Sequence, residues 1–170
     1  MLIRYKRMER KSLAVIMGPA GVEVRMPRWA RLRDPKLRQI VVEQLERAAA
    51  HAPQDPDPPR PLSREQFTAE AAAWAARLGV QPHRVQVRSM TSRWGSCSSK
   101  GNVTFSESTL YMPALLRHYL ICHEFNHLRV LNHGPDFRRL MSEAMPDWQK
   151  REKALGGWVA RRELAGLRRI

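Results

Sequence analysis

The feature that most constrains the fold of this chain is a proline-rich segment, His51–Pro61. Residues 53–61 hold five of the twelve prolines in the sequence. Because proline lacks a backbone N–H and has a fixed φ, this stretch is excluded from a helix interior and from a central strand. It therefore predicts a stiff linker or loop over residues 51–61. The linker separates an N-terminal β-hairpin and helix, residues 1–50, from a core with C-terminal helices, residues 62–170, together forming one compact domain.

Before the linker, the hydrophobic pattern predicts β-structure followed by a helix. The runs Leu13–Met17 and Val22–Met26 are rich in β-forming residues and flank a Gly-Pro-Ala-Gly turn, which indicates a hairpin. A short strand is also predicted around Ile3–Tyr5. Apolar residues then recur at helical spacing after an Asp-Pro start, which predicts a helix over residues 34–50.

After the linker, strands and helices are segregated along the chain rather than alternating, which predicts an α+β fold. The strands at Val85–Val87 and Asn102–Ser106 flank the turn-rich sequence RWGSCSSKG and are predicted to pair as a second hairpin. Four helices are predicted: Ser63 to Leu78, Pro113 to about Leu131, Pro135 to just before Pro146, and a last one capped by Asp147 and broken at Gly156-Gly157.

Three of the six histidines fall within HEFNHLRVLNHG, in the helix predicted from Pro113. His123 and His127 stand at positions i and i+4, so their side chains share one helix face about 6 Å apart. Two imidazoles so placed can bind one Zn²⁺, and Glu124 beside them can act as a general base on water. This HExxH pattern is typical of zinc hydrolases, whereas the alternative is a pair of histidines packed in a core.

A catalytic zinc site needs a third protein ligand, and His133 is the candidate. It lies six residues after His127, which is the offset of the third histidine in metzincins. Metzincins have a glycine where this chain has Val130, so the helix is expected to end near Asn132 and the turn to be made differently. The alternative for His133 is a helix cap or a surface histidine.

The charge balance favours contact with polyanions or anionic substrates. The sequence has 30 Lys and Arg against 16 Asp and Glu, a net charge of +14, and a pI near 11.1. The plainer interpretation is a solvated basic surface, since net charge bears on solubility and non-specific binding.

The two cysteines do not make a disulfide framework, and a reducing compartment fits them. The basic N terminus precedes an apolar run, LAVIM, that is too short for a signal peptide. No run reaches the ~18 apolar residues of a membrane span. A cytoplasmic location is therefore expected, without membrane partners.

Two blocks of sequence resemble the YgjP-like metallopeptidases, a zincin family distantly related to SprT-like proteases. These blocks are VRSMTSRWGSCSSKGNVTFS and HEFNHLRVLNHGPDF. The family pattern falls on Arg93–Cys97, Lys100–Asn102, His123–Leu128, Asn132-His133 and Phe137. The chain departs from that pattern at Phe105–Leu110 and in its proline-rich segment.

The resemblance implies a minimal zincin-like fold, with a small, twisted, antiparallel-type sheet packed on the HExxH helix. It implies His123, His127 and His133 as ligands of one Zn²⁺ per chain, and Glu124 as general base. Peptides or proteins are the implied substrates, although nucleotide hydrolysis has also been attached to the family name.

Four further residues, Arg93, Trp94, Tyr119 and Asn102, are candidates for contact with substrate. Arg93 can bind a carboxylate or phosphate, and Trp94 can line the cleft. Gly95 allows a tight turn, and Cys97 is either a latent metal ligand or a buried thiol. Tyr119 shares the histidine face, where it either polarises substrate or packs. The Asn102–Ser106 strand, with Asn102 at its start, is expected to be an edge strand that pairs with an extended peptide.

Three functions therefore remain open at the level of sequence. The leading one is a zinc-dependent peptidase that uses water activated by Glu124. The second keeps the metal but cleaves a nucleoside triphosphate, as a pyrophosphatase. The third is a DNA-associated protease or nucleic-acid-binding protein, because residues 1–33 carry half of the net charge.

Overall fold

The structure is a computed structural model that describes residues 3–31, 34–54 and 60–167. The middle of the proline-rich segment, residues 55–59, lies outside the described residues. The elements are β1 (Arg4–Met8), β2 (Ala14–Gly18), β3 (Gly21–Pro27), α1 (Pro35–Ala49), α2 (Arg64–Leu78), β4 (Arg84–Arg88), β5 (Gly95–Cys97), β6 (Asn102–Ser106), a 3₁₀ turn (Glu107–Tyr111), α3 (Ala114–Asn126), α4 (Pro135–Ala144) and α5 (Trp148–Leu167). Segregated helices and two small mixed sheets confirm the α+β prediction.

The chain divides into two compact units. The described residues of Met1–Pro53 and Lys153–Ile170 form the first unit, and those of Gln54–Glu152 form the second. No helix in the described ranges is long and apolar enough to cross a membrane.

The first unit is built on a three-stranded sheet in the order β1-β3-β2. The predicted hairpin is confirmed as the antiparallel pair of β2 and β3, whereas β1 pairs with β3 in parallel. Val22, Val24 and Met26 alternate along β3 and are fully buried, so one face of the sheet forms the core. Helix α1 begins where predicted, because the Asp34 carboxylate accepts a hydrogen bond of 2.9 Å from the Lys36 N–H.

The predicted break at Gly156-Gly157 is wrong, because α5 runs through both glycines. A Cβ at Gly157 would lie 2.4 Å from the backbone N of Ala52 and 2.7 Å from the carbonyl oxygen of Ala48. Gly157 therefore serves a close helix contact within the first unit rather than ending a helix.

The second unit packs α2 and α3 around an aromatic core. Helix α2 has the predicted capping box between Ser63 and Gln66, and it ends at Gly79 with a φ of 63°. Phe67, Phe105 and Phe125 are fully buried, with ring centroids 5.1 Å apart for Phe67–Phe105 and 6.3 Å apart for Phe105–Phe125. These rings join α2, β6 and α3 into one core.

The predicted second hairpin is wrong, because β4 pairs with β6 in parallel. A short third strand, β5, lies within RWGSCSSKG and forms the antiparallel hairpin with β6. The sheet order is β4-β6-β5, so Asn102–Ser106 is the central strand rather than the expected edge. The edge strand that contacts α3 is β5.

Helix α3 ends earlier than predicted, at Asn126 instead of near Asn132. The Asn126 carbonyl accepts hydrogen bonds of 3.0 Å from the N–H groups of both Arg129 and Val130, which closes the helix in a turn. The chain then reverses and places residues 127–133 beside the end of the helix. Helix α4 begins at Pro135 and ends before Pro146, as predicted.

Candidate active site

The side chains of His123, His127 and His133 converge on one point. Their Nε2 atoms are 3.3 Å apart for His123–His127, 3.1 Å for His127–His133 and 3.0 Å for His123–His133. Two nitrogen ligands bound at ~2.0–2.1 Å to a tetrahedral metal stand ~3.3–3.4 Å apart. The three nitrogens therefore have the spacing of a metal site, and they are the described residues whose ligand atoms cluster in this way.

Each buried imidazole is held neutral, with a lone pair available at the cluster. His127 Nδ1 donates a hydrogen bond of 3.0 Å to the Val130 carbonyl, which leaves its Nε2 unprotonated. Burial lowers the pKa of His127, and burial together with the two neighbouring histidines lowers the pKa of His123 to about 3. His123 Nδ1 is buried without a hydrogen-bond partner among the described residues. Three electron pairs facing one another repel unless a cation lies between them, so the donor set fits a divalent metal.

Phe137 supports all three histidines. Its ring stacks on His127 with centroids 4.5 Å apart, and it meets His123 and His133 edge to face at 4.9 Å and 4.8 Å. Phe137 lies in the first turn of α4 and is 1% exposed. The ring limits the rotamers of the three imidazoles, so the cluster is preorganised by packing.

Glu124 lies beside the histidines and is 6% exposed. Burial raises the pKa of its carboxyl to about 7, and the positive charge of Arg93 partly opposes that rise. A carboxyl with a pKa near neutrality is suited to taking up and releasing a proton during a reaction cycle.

Gly95 of β5 packs directly on the Glu124 side chain. A Cβ at Gly95 would lie 2.6 Å from Glu124 Cγ and Oε1, which no real Cβ tolerates. Gly95 does not have a positive φ, so its role is close approach rather than the tight turn expected from the sequence. The contact holds β5, the edge strand, against the centre of the histidine helix.

The other candidate residues occupy different positions around the cluster. Arg93 is exposed at the start of β5, close enough to Glu124 to affect its pKa. Trp94 is half-buried next to it, and its carbonyl accepts a hydrogen bond of 2.8 Å from the Ser106 N–H. Asn102 is half-buried on the central strand, where its backbone bonds with Ser98.

Tyr119 and Cys97 are tied into their surroundings. Tyr119 is 3% exposed, its ring meets His123 edge to face at 5.8 Å, and its hydroxyl hydrogen-bonds with Glu152. Burial is the main cause of its raised pKa. Burial and then the charge of Glu124 raise the pKa of the Cys97 thiol, which keeps it protonated. These contacts favour packing as the role of both side chains.

A cavity of about 470 Å³ opens beside His127. Ser98 and Ser99, at the end of β5, line one side, and Leu128 and Arg129 line another. The lining includes no acidic side chain. The cavity therefore adjoins His127 and the turn between β5 and β6.

Comparisons with known proteins agree with this arrangement. Residues 59–157, more than half of the chain, match a family model described as a YgjP-like metallopeptidase domain. A search of curated proteins found no match. Among solved structures, the metallopeptidase zymogen of Pyrococcus abyssi abylysin is similar, at 22% identity and a TM-score of 0.46, over 51% of this chain and 87% of that chain. The matched residues include the three histidines, Glu124 and Gly95, and the chain belongs to the YgjP-like family of metallopeptidases, metal-dependent hydrolases of peptide or protein substrates.

Proposed function

We propose that this protein is a zinc-dependent peptidase in which His123, His127 and His133 hold one zinc ion and Glu124 is the general base. The convergence of three Nε2 atoms at 3.0–3.3 Å carries the proposal. Three neutral imidazoles are a ligand set that suits zinc, and three protein ligands leave the fourth position open for chemistry. When bound, zinc supplies the Lewis acidity that polarises a scissile carbonyl and lowers the pKa of water.

Glu124 takes a proton from the attacking water and later delivers it to the leaving amine. Burial raises the pKa of its carboxyl, which favours the uptake of that proton. The backbone of Gly95 fixes the carboxyl in place. Arg93, exposed and within electrostatic reach of Glu124, is the candidate donor to the developing oxyanion, because the Tyr119 hydroxyl is engaged with Glu152.

An extended peptide binds along β5, the edge of the sheet nearest to Glu124. Strand β5 is at the end of the order β4-β6-β5, so its outer backbone groups are directed away from β6. A peptide that pairs with this edge is bound through its backbone groups, whereas the cavity beside His127 accepts one of its side chains. Arg129 in an otherwise uncharged lining favours an acidic side chain there.

The test is cleavage of an unfolded protein by the zinc-loaded wild type and by Glu124→Gln, with zinc content measured in both. The expected result is turnover in the wild type and a loss of at least about 100-fold in the variant, with zinc retained. Equal turnover in the two proteins would remove Glu124 from the mechanism.

Nucleotide hydrolysis stays a prediction that the same two proteins can test. Glu124-dependent release of pyrophosphate from nucleoside triphosphates, without peptide cleavage, would replace the peptidase proposal. The family match favours a peptide substrate.

A further inference from the structure

We propose that the N-terminal sheet binds single-stranded nucleic acid through a basic face made of Arg4, Lys6, Lys11, Arg31 and Trp29. The proposal concerns the first unit alone and does not depend on the peptidase function.

Strand β1 is an exposed basic edge. It lies at one end of the sheet order β1-β3-β2, and Arg4, Lys6 and Arg7 are all exposed. Arg4 lies directly opposite Glu23, and Lys6 lies directly opposite Arg25. Arg4 and Lys6 therefore share the outer face of the sheet, whereas Arg7 lies opposite the buried Met26 and belongs to the face that also buries Val22 and Val24.

The parallel pairing of β1 with β3 brings more cations to the same end of the sheet. Because parallel strands end at the same edge, the residues that follow β1 lie close to those that follow β3. The ion pair between Arg28 and Glu9, at 3.4 Å, shows this proximity directly. Exposed Lys11 follows β1, and exposed Arg31 follows β3.

Trp29 is at this end of the sheet and is 76% exposed, more than any other large hydrophobic residue in the described chain. An indole this exposed leaves its flat ring accessible to a ligand. A flat aromatic surface among cations is the arrangement on which unpaired bases stack.

Acidic residues do not neutralise this face. Residues 3–31 contain eight Lys or Arg and two Glu. Both glutamates are already paired, Glu23 with Arg25 at 2.7 Å and Glu9 with Arg28. The four cations of the basic face make no ion pair within the described residues, so they are available to phosphates.

The geometry favours single strands over duplex DNA. Groove reading needs a basic helix or a two-stranded ribbon that enters the groove. The helix of this unit that lies next in sequence, α1, exposes Glu43 and Glu46 among its basic residues Lys36, Arg38 and Arg47, so its surface is mixed in charge rather than uniformly basic. One exposed tryptophan with an extended cationic strand fits a flexible backbone whose bases are unstacked.

The test measures binding of a fluorescein-labelled 20-nucleotide poly-dT by fluorescence anisotropy across a salt series. With about four phosphate contacts, log K is expected to fall with log salt at a slope of roughly −2.8. Replacing Arg4 and Lys6 by Gln is expected to reduce the slope by about 1.4. Trp29→Ala is expected to weaken binding roughly 5- to 150-fold, as for the loss of one stacked base, and Trp29→Phe to restore most of it.

The matched controls lie in the second unit. Tyr111→Ala removes another exposed aromatic ring, and Gln at Arg84 and Lys100 removes two exposed cations; neither variant is expected to change affinity by more than about twofold. No binding at low salt would overturn the proposal. Equal loss in the controls, tighter binding of a 20-base-pair duplex that Trp29→Ala leaves unchanged, or binding to phosphatidylserine vesicles but not to poly-dT would also overturn it.

Discussion

At the scale of single residues, the site depends on contacts of two kinds. The spacing of His123 and His127 is local, so the chain alone predicts that they share a helix face, with Glu124 next to the first of them. The contacts of Gly95 with Glu124 and of Phe137 with the three imidazoles join distant parts of the chain. No periodic pattern in the sequence predicts these contacts, although Gly95 and Phe137 both lie in the blocks that resemble the family pattern. Their position in those blocks was the sequence signal that the two residues matter, and the structure supplied the physical reason for their roles.

Gly95→Ala is expected to lower kcat by about 100-fold while zinc content stays at the wild-type level. The new Cβ would displace the Glu124 carboxyl, and a shift of about 1 Å is enough for such a loss. The measurement is kcat on an unfolded protein substrate, with metal analysis of the same samples. Gly18→Ala is the control, because nothing lies within 4 Å of a Cβ there. Full activity in Gly95→Ala would show that the close approach does not position Glu124.

Phe137→Ala is expected to weaken zinc binding by roughly tenfold or more, because the imidazoles lose the ring that orients them. It should also lower the free energy of unfolding by about 3–5 kcal/mol, as a buried phenylalanine does. Phe67→Ala removes an equally buried ring elsewhere in the same unit and is expected to lose stability without losing zinc affinity. The measurement is competition with a chelator, with Phe137→Leu as a milder variant. Equal zinc affinities for Phe137 and Phe67 variants would contradict the supporting role.

At the scale of elements, the prediction from sequence succeeded where the signals are local. The Ser63–Gln66 capping box and Gly79 gave the bounds of α2, and the Pro135 start gave α4. It failed where a long-range contact decides the outcome. Strand β5 is three residues long and lies within a turn-rich sequence, so its pairing with β6 could not be predicted. The parallel pairing of β4 with β6 was missed for the same reason. The glycines of α5 were taken for a break because the close neighbours of Gly157 are distant in sequence.

Helix α5 carries a buried acid whose removal should stabilise the first unit. Glu163 is 6% exposed, its Oε2 has no hydrogen-bond partner among the described residues, and burial raises its pKa. Glu163 therefore binds a proton more tightly in the folded state than in the unfolded state. As the pH rises from the pKa of Glu163 in the unfolded state through its pKa in the folded state, the free energy of unfolding falls. Glu163→Gln removes this penalty and is expected to raise the free energy of unfolding by on the order of 1 kcal/mol at pH 8.

The measurement is thermal unfolding of wild type and Glu163→Gln between pH 4 and pH 8. The difference in Tm should grow with pH and nearly vanish at the acidic end. Glu46→Gln, an exposed acid on α1, should give no such trend. A Tm difference independent of pH would show that the charge of Glu163 is not what costs stability.

At the scale of the whole molecule, the two proposed functions are assigned to separate units. The second unit contains the three histidines, Glu124, the β5 edge and the cavity beside His127, and the family match over residues 59–157 falls largely on it. The first unit contributes the basic face and none of the residues proposed for catalysis. The net charge of +14 is therefore not a property that the peptidase site requires. Half of it falls within residues 1–33, which include most of the basic face.

The most direct measurement of the central claim is the zinc stoichiometry of the purified chain and of its single histidine variants. The account predicts one zinc per chain in the wild type and in Glu124→Gln, and loss of zinc in each of His123→Ala, His127→Ala and His133→Ala. His118→Ala should keep the metal, because that imidazole lies beside Trp74 and Glu70 instead. Wild-type stoichiometry in any of the three cluster variants, with the fold intact, would contradict the claim that these imidazoles together hold the ion.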